Sequence, residues 1–543
     1  MRSPATASSS LAVLGATLLA LGGGPPLAAQ ETTPAPKPPP AREASPAQQV
    51  PPAQETPPAG EAPSAPRAPS VPPSTALNGH LRAGVVRVVV SGQEWNWQTP
   101  WAKQPPWTRQ LTGLVVPGRR ILCASPSFGN HLLVEVQKLG EDARTPGRVV
   151  LTDPEGPLAL VAVDDPAFWE GLAPLPLADR LPREGELSIL RWRASGLLDS
   201  YPGSVRQIRA GRHGLSRTHL LTLDVATGAD GLGASEVVVA DEEVVGLLTG
   251  RAGDTWAAIA SPVLQRFVAD TAGGEWRGFP RGGFAWQNLT NPALRESLGL
   301  TGDEAGVRLT RVLPHGTAAG GLRPGDVILE VDGVAIDPTG RYEHPVYGRM
   351  LFALLFSDGR RPGDTLDVTV LRDGKRSTLA LPLHRIQAEA DKIPPYVYGH
   401  GPNYSVVGGL VFQELTVPYL TTFGDWQRRG PPRLLIAWDR EASEPSPESP
   451  RIVVLSSVLP DAANLGYEGV RNLIVERVNG QRIGGMDDLR DAFSRPEGGY
   501  HVVQFLPGLA PERLVLDVEE TKASEERIRT AYGVDRLDSE TPP

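Results

Sequence analysis

The sequence predicts an all-β domain followed by two related domains that mix strands with helices. Three observations predict it. Nine short strand-like runs follow one another between Val85 and Leu248, separated by Gly, Pro and Asp turns and with no long helical period. A phrase around Val331 returns 147 residues later. A Pro-rich stretch sets all of this apart from the start of the chain.

The start reads as an export signal. Arg2 is basic, Leu11 to Leu21 is an apolar core too short to span a bilayer, and Leu27-Ala28-Ala29 ends it with small residues. A retained membrane anchor is the alternative. From 31 to 74, 15 of 44 residues are Pro. Such a segment cannot bury enough apolar surface to offset its ordering entropy, and prolines stiffen it into a tether.

The strand-like runs are VVRVVV (85–90), LTGLVV (111–116), HLLVEV (131–136), GRVVLT (147–152), LALVAV (158–163), ELSIL (186–190), HLLTLDV (219–225), SEVVVA (235–240) and EVVGLL (243–248). Their number and spacing suit six-stranded barrels or a sandwich. Residues 261–269 read as a closing helix with Ser261 as N-cap and Pro262 in its first turn. In the second half, Val312-Leu313-Pro314 recurs as Val458-Leu459-Pro460, and Val331-Asp332-Gly333 as Val478-Asn479-Gly480. Each copy is expected to run strand, small-residue helix, strand, Asp/Asn-Gly turn, helix. The first closes with a hairpin around Asp373-Gly374.

Composition narrows the function. The 543 residues carry 53 Lys+Arg against 62 Asp+Glu, a formal charge of -9, which gives no broad field for a phosphate backbone. The single Cys excludes a disulfide framework and a thiolate cluster. The nine His are scattered, with none at i, i+2 or i, i+4, so no metal and no cofactor is expected. The division is a signal over 1–29, a Pro-rich linker over 30–78, the β domain over 79–277, the first repeat over 278–388, a linker and the second repeat over 389–520, and a polar tail over 521–543 expected to fray.

The phrase GTAAGGLRPGDVILEVDGVAI in the first repeat resembles a PDZ domain of the bacterial protease type. Such domains take a C-terminal peptide as an added strand, its carboxylate in a loop of backbone N–H groups. The resemblance places that loop at Gly283, Phe284, Ala285 and Trp286. The plainer reading is a turn at Gly283 and core aromatics at Phe284 and Trp286. The span from about Val85 to about Val518 resembles an HtrA/Deg-type serine protease with two PDZ domains. The GGLVFQELTVPYL phrase, Pro100-Trp101, DDPAFWEGLAPLPL and Gly278-Phe279-Pro280 carry the likeness. It implies a trypsin-like double β-barrel followed by two α+β PDZ-like domains.

Hydrolysis by a serine needs a His, an Asp and the Ser in register. At the three positions the likeness assigns, this chain has Pro126, Pro157 and Leu232. Asp230 stands where a Gly helps hold the oxyanion, an unsuitable place for negative charge. All three roles are missing, so the expectation is a catalytically degenerate protease, a pseudoprotease. Ser125, Ser235, His131, His213 and His219 lie nearby as candidates for a rewired triad. Asp164 and Asp165 are expected only to cap a turn.

The resulting expectation is a non-catalytic, exported HtrA/Deg-like protein, periplasmic or extracellular. Its partners would be protein or peptide C-termini and exposed β-strand segments, not nucleic acid. The resemblance also implies a homotrimer or assembly with active relatives; Trp95, Trp97, Trp101 and Trp107 read most plainly as lying over the barrel and in loop contacts, with an oligomer interface as the alternative. An active endopeptidase with another arrangement and a structural subunit of an envelope complex stay open as alternatives.

Overall fold

The computed structural model describes residues 79–540 except 194, 216–217, 275, 301–303, 386, 445 and 509–510. The expected signal and Pro-rich linker lie outside the described residues. A short helix α1 (Gly79–Ala83) leads into a six-stranded sheet of β1 (Val85–Gly92), β2 (Trp107–Val116), β3 (Arg120–Ala124), β4 (His131–Gln137), β5 (Thr145–Asp153) and β6 (Leu158–Ala162). Its order is β1-β2-β3-β6-β5-β4, with β4 returning to β1 along a ladder that slips between Ser91 and Gly92. A second six follows: β7 (Glu186–Trp192), β8 (Leu198–His213), β9 (Thr218–Ala226), β10 (Val237–Ala240), β11 (Glu243–Ala252) and β12 (Thr255–Ala260). They close into a barrel in the order β10-β11-β12-β9-β8-β7.

Both six-stranded sheets close on themselves, but they are not an equivalent pair. The second is a filled barrel whose interior joins one large core. The first curls over a smaller core, and its β4–β5 side is thin. These two strands pair over three residues, Val134–Val136 against Thr145–Gly147. Leu132, Leu133 and Val150 are exposed there, and only Asp153 of β5 is buried. The apolar core of the second barrel continues into the first repeat. One apolar cluster runs from Leu114, Leu122 and Leu160 through Leu223 and Val237 to Phe352, Leu366 and Leu383. Strands β2, β3 and β6 are buried on both faces, which explains their unbroken apolar runs. Helix α2 (Ser261–Ala272) closes the barrel as expected. Ser261 is not its cap: the hydroxyl donates to the Ala178 carbonyl at 2.7 Å.

The first repeat contributes β13 (Phe284–Asn288), helix α3 (Pro292–Ser297), β14 (Val307–Val312), β15 (Val327–Val331), β16 (Val334–Ala335), β17 (Arg341–His344), β18 (Gly348–Leu351), β19 (Thr365–Arg372) and β20 (Lys375–Pro382). The main sheet runs β13-β14-β15-β19-β20, leaving β13 at an edge. The Asp332-Gly333 and Asp373-Gly374 turns hold both residues at positive φ, the geometry two-residue hairpins require. The helix expected after Asp332-Gly333 is replaced by the β17–β18 hairpin and a 3-10 turn, Phe352–Phe356. Three large apolar side chains, Phe352, Leu354 and Phe356, are buried in that one turn.

The second repeat has β21 (Tyr404–Val407), β22 (Leu410–Glu414), an insertion of α4 (Val417–Thr421), α5 (Trp426–Arg429) and α6 (Pro432–Glu441), then β23 (Val453–Val458), β24 (Leu473–Val478), β25 (Gln481–Arg482), α7 (Met486–Phe493), β26 (Tyr500–Phe505) and β27 (Arg513–Asp517). The polar tail differs from expectation. It forms α8 (Val518–Tyr532), capped by Asp517, with Ile528 buried among Tyr404, Val406 and Val411.

Ser235 ties the first sheet to the barrel. It is fully buried at φ 71°. Its hydroxyl donates to the Thr112 carbonyl at 2.8 Å and accepts from the Ala124 N–H at 3.0 Å. Thr112 in turn donates to Glu236 at 2.7 Å and accepts from the Trp192 N–H at 3.2 Å. Ser235→Ala leaves two buried backbone groups unpaired and is expected to cost about 2–3 kcal/mol. A urea titration with an unchanged midpoint would refute this role.

Candidate functional site

The three expected catalytic positions do structural work. Pro126 opens a 3-10 turn, Pro126–Phe128, whose start is capped by the Ser125 hydroxyl accepting from the Ser127 N–H at 3.2 Å. Ser125 also donates to the Ser127 hydroxyl at 2.9 Å, so it is a buried cap. Pro157 follows a loop held by Asp153, whose Oδ1 accepts from the N–H groups of Glu155 and Gly156 at 2.8 and 3.1 Å. Leu232 is buried, 7% exposed, in the large core. Its loop is fixed by Arg191, which donates to the Asp230 carbonyl and pairs with Glu236 at 3.4 Å. Burial pushes the Glu236 carboxyl up to about 8.

No substitute triad is assembled among the described residues. His213 Nε2 lies 2.7 Å from the Thr222 hydroxyl, and His131 Nδ1 lies 2.7 Å from the Phe128 carbonyl. Asp224, which could have oriented a histidine, is bound by Arg209 and Gln207. The Ser235 hydroxyl is already used in both directions. Asp165 caps the turn at Pro166 as expected, and Asp164 pairs with Arg148. Among the described residues, no group of three or more His, Cys, Asp or Glu could hold a metal ion. No described helix is long and apolar enough to cross a membrane.

The linker between the repeats lies over this face. Tyr396 donates to the Pro154 carbonyl at 3.2 Å and accepts from the Leu215 N–H. The Tyr398 ring packs so closely on Gly129 that a Cβ there would meet it at 2.1 Å. Gly399 donates to Asn130. Trp95, Trp97 and Trp101 join the same contact inside the chain. Gly401 packs on Trp95, the Trp97 carbonyl accepts from Gln413, and Trp101 lies against Tyr404. Trp107 packs on the first sheet's core.

Gly283 sits at φ 72°, and a Cβ there would come within 2.6 Å of the Gly316 Cα. The Gly282 and Gly283 carbonyls accept from Ala318 and Leu313, both at 2.8–2.9 Å. Their own N–H groups have no acceptor among the described residues. Phe284 and Trp286 follow the plainer reading. They are half-buried and pack on Phe352 and Phe356, with ring centroids 5.0–5.9 Å apart. Ala285, across from Arg311, is exposed.

In the second repeat the equivalent strand is already paired. The repeat aligns Gly408-Gly409-Leu410 with Gly282-Gly283-Phe284, since Phe284 faces Val312 as Leu410 faces Val458. There Gly408-Gly409 is the turn of a hairpin, and β21 lies antiparallel on β22. On its other side β21 accepts the chain's own end. Val406 donates to the Leu537 carbonyl at 2.7 Å, and Ser539 to that of Tyr404 at 3.0 Å. The hairpin was concealed in a phrase that reads equally well as the start of a repeat.

Comparison with known proteins agrees with this architecture. PDZ domain models match residues 288–341 and 393–541. Protease Do-like 2, chloroplastic, from Arabidopsis thaliana is 25% identical over 464 residues, covering 83% of this chain and 74% of that protein. Protease Do-like 4, mitochondrial, from the same organism is 24% identical over 432 residues, covering 78% and 76%. Among solved structures, the HtrA-type protease AlgW with a decapeptide is 19% identical at a TM-score of 0.42, covering 57% of this chain and 98% of that one. Both the score and the identity are low, and no part of the functional reading rests on that structure. The chain is similar to Protease Do-like proteins over most of its length and matches PDZ domain models in two stretches.

The buried histidines make one pH prediction. Burial first, then nearby arginines, pull His213 and His219 down to about 4. The unfolded chain therefore binds protons that the folded chain refuses, and stability falls as pH drops from about 6.5 toward 4. His213→Gln should shrink the loss between pH 7 and pH 5 by up to about 2 kcal/mol. An identical pH slope for the variant would contradict the assignment.

Proposed function

We propose that this chain is a non-catalytic peptide-binding scaffold or holder of the cell envelope, exported by its N-terminal segment. The observation that carries the reading is a contrast between two sites. Where hydrolysis would occur, Ser125, Ser235, His131 and His213 are engaged in structural hydrogen bonds, the buried His219 Nε2 meets no partner among the described residues, and the three expected positions hold Pro, Pro and Leu. In the first repeat, the Gly282 and Gly283 amides are unpaired beside an edge strand, the chemistry that captures a C-terminal carboxylate and an added strand. The second groove is filled by the chain itself, so ligand binding falls to the first repeat. Assembly as a homotrimer or with active relatives belongs to the same reading.

The test needs one preparation of the full chain. It is incubated with a labelled unfolded protein, and with a labelled peptide carrying a free or an amidated C-terminus. The expectation is an intact substrate on a gel, binding of the free-carboxylate peptide by anisotropy, and at least tenfold weaker binding of the amide. Cleavage that survives repurification would overturn the non-catalytic half. Equal binding of acid and amide would overturn the loop.

A further inference from the structure

The peptide loop of the first repeat does not open onto bare solvent. Phe284 and Ala285 line a cavity of about 310 Å³ whose far wall is the second repeat's insertion, with Trp426 and Trp438. Most of the wall is apolar. Its polar side chains are Arg281, Arg311, Asp391, Gln427, Asp439 and Ser443. Asp391 is 8% exposed, and its buried Oδ1 has no hydrogen-bond partner among the described residues. Its Oδ2 accepts only a long bond from the Ser443 hydroxyl, at 3.4 Å. A buried carboxylate oxygen left without a donor is costly, and aromatic walls around it favour a cation. The same cavity is lined by Arg281, at the start of the peptide loop.

Resting on the reading of the first repeat as a peptide-binding domain, we propose that this cavity is a specificity pocket for a basic C-terminal residue, Lys or Arg. The ligand's carboxylate would meet the Gly282 and Gly283 amides and the field of Arg281. Its aliphatic stem would lie between Phe284 and the Trp walls, and its charged end would pair with the Asp391 carboxylate from the cavity side. Arg311, on the wall, is already committed to the end of α6 through the Asp439 and Arg440 carbonyls and Glu444.

Occupancy should depend on pH. Burial raises the Asp391 carboxyl to about 7, Glu155 and Glu389 push it the same way, and Ser443 and Arg281 oppose them. Arg451 holds the Asp391 carbonyl, not its carboxylate. A cation prefers the ionised form, so affinity for a basic end rises between pH 6 and pH 8.

The experiment uses the full chain and fluorescein-labelled octapeptides of one sequence ending in Lys, Leu or Ala. At pH 8 the Lys peptide is expected to bind at least tenfold more tightly than the Ala peptide, with the advantage shrinking at pH 6. Asp391→Asn should bring the Lys peptide to the Ala level while the Leu peptide is unchanged. Equal binding of Lys and Ala ends refutes the pocket and leaves the groove standing. A loss shared equally by all three peptides in Asp391→Asn makes Asp391 structural and also refutes it. If no peptide binds, the groove reading itself fails and the pocket falls with it.

Discussion

The Ser235 hydroxyl is the contact on which the body of this molecule depends. It bridges a carbonyl of β2 and an amide of β3 from a backbone position at the mouth of the second barrel. A non-glycine residue at φ 71° persists only where its surroundings fix it. Here the fixing is mutual. Thr112 gives its carbonyl to Ser235 and its hydroxyl to Glu236, and takes the Trp192 amide. The first sheet, thin on its β4–β5 side, is thus anchored on its other side by strands buried on both faces. The barrel's core then continues into the first repeat, so that this repeat sits on a fixed base.

That arrangement explains how a catalytic site can be lost without loss of the fold. A triad contributes chemistry, and its removal leaves strand alternation and turn geometry intact. Pro126 and Pro157 occupy loops whose amides are satisfied by Ser125 and Asp153, and Leu232 adds apolar area to the core. The linker tyrosines then settle over the same loops, as Tyr398 does on Gly129. This packing joins the linker before the second repeat to the first sheet.

Much of this was legible in the sequence, for physical reasons that differ by element. Buried strands such as β1 and β9 announce themselves by β-branched runs, and the Asp-Gly and Asn-Gly turns mark the repeats because few residues tolerate positive φ. Strand β8 was not legible. Its 16 residues include Pro202, Gly203 and three arginines, since much of it is exposed and it is held by pairing with β7 and β9 on either side. The first repeat's expected helix became a hairpin and a 3-10 turn because Phe352, Leu354 and Phe356 fill the core at a tighter spacing than an α-helix allows. The expectation of a degenerate site rests on Pro126, Pro157 and Leu232, which the sequence shows directly. The self-paired groove of the second repeat and the lone Asp391 oxygen could not be read there, because each depends on segments that meet only after folding.

The central claim is that no nucleophilic serine survives in this trypsin-like body. A fluorophosphonate probe, which labels only serines activated by a base, tests it most directly on the folded full chain. The account predicts no label by intact-mass measurement, native and heat-denatured samples behaving alike. Stoichiometric labelling of one serine in the native sample alone, Ser235 or any other, would contradict it.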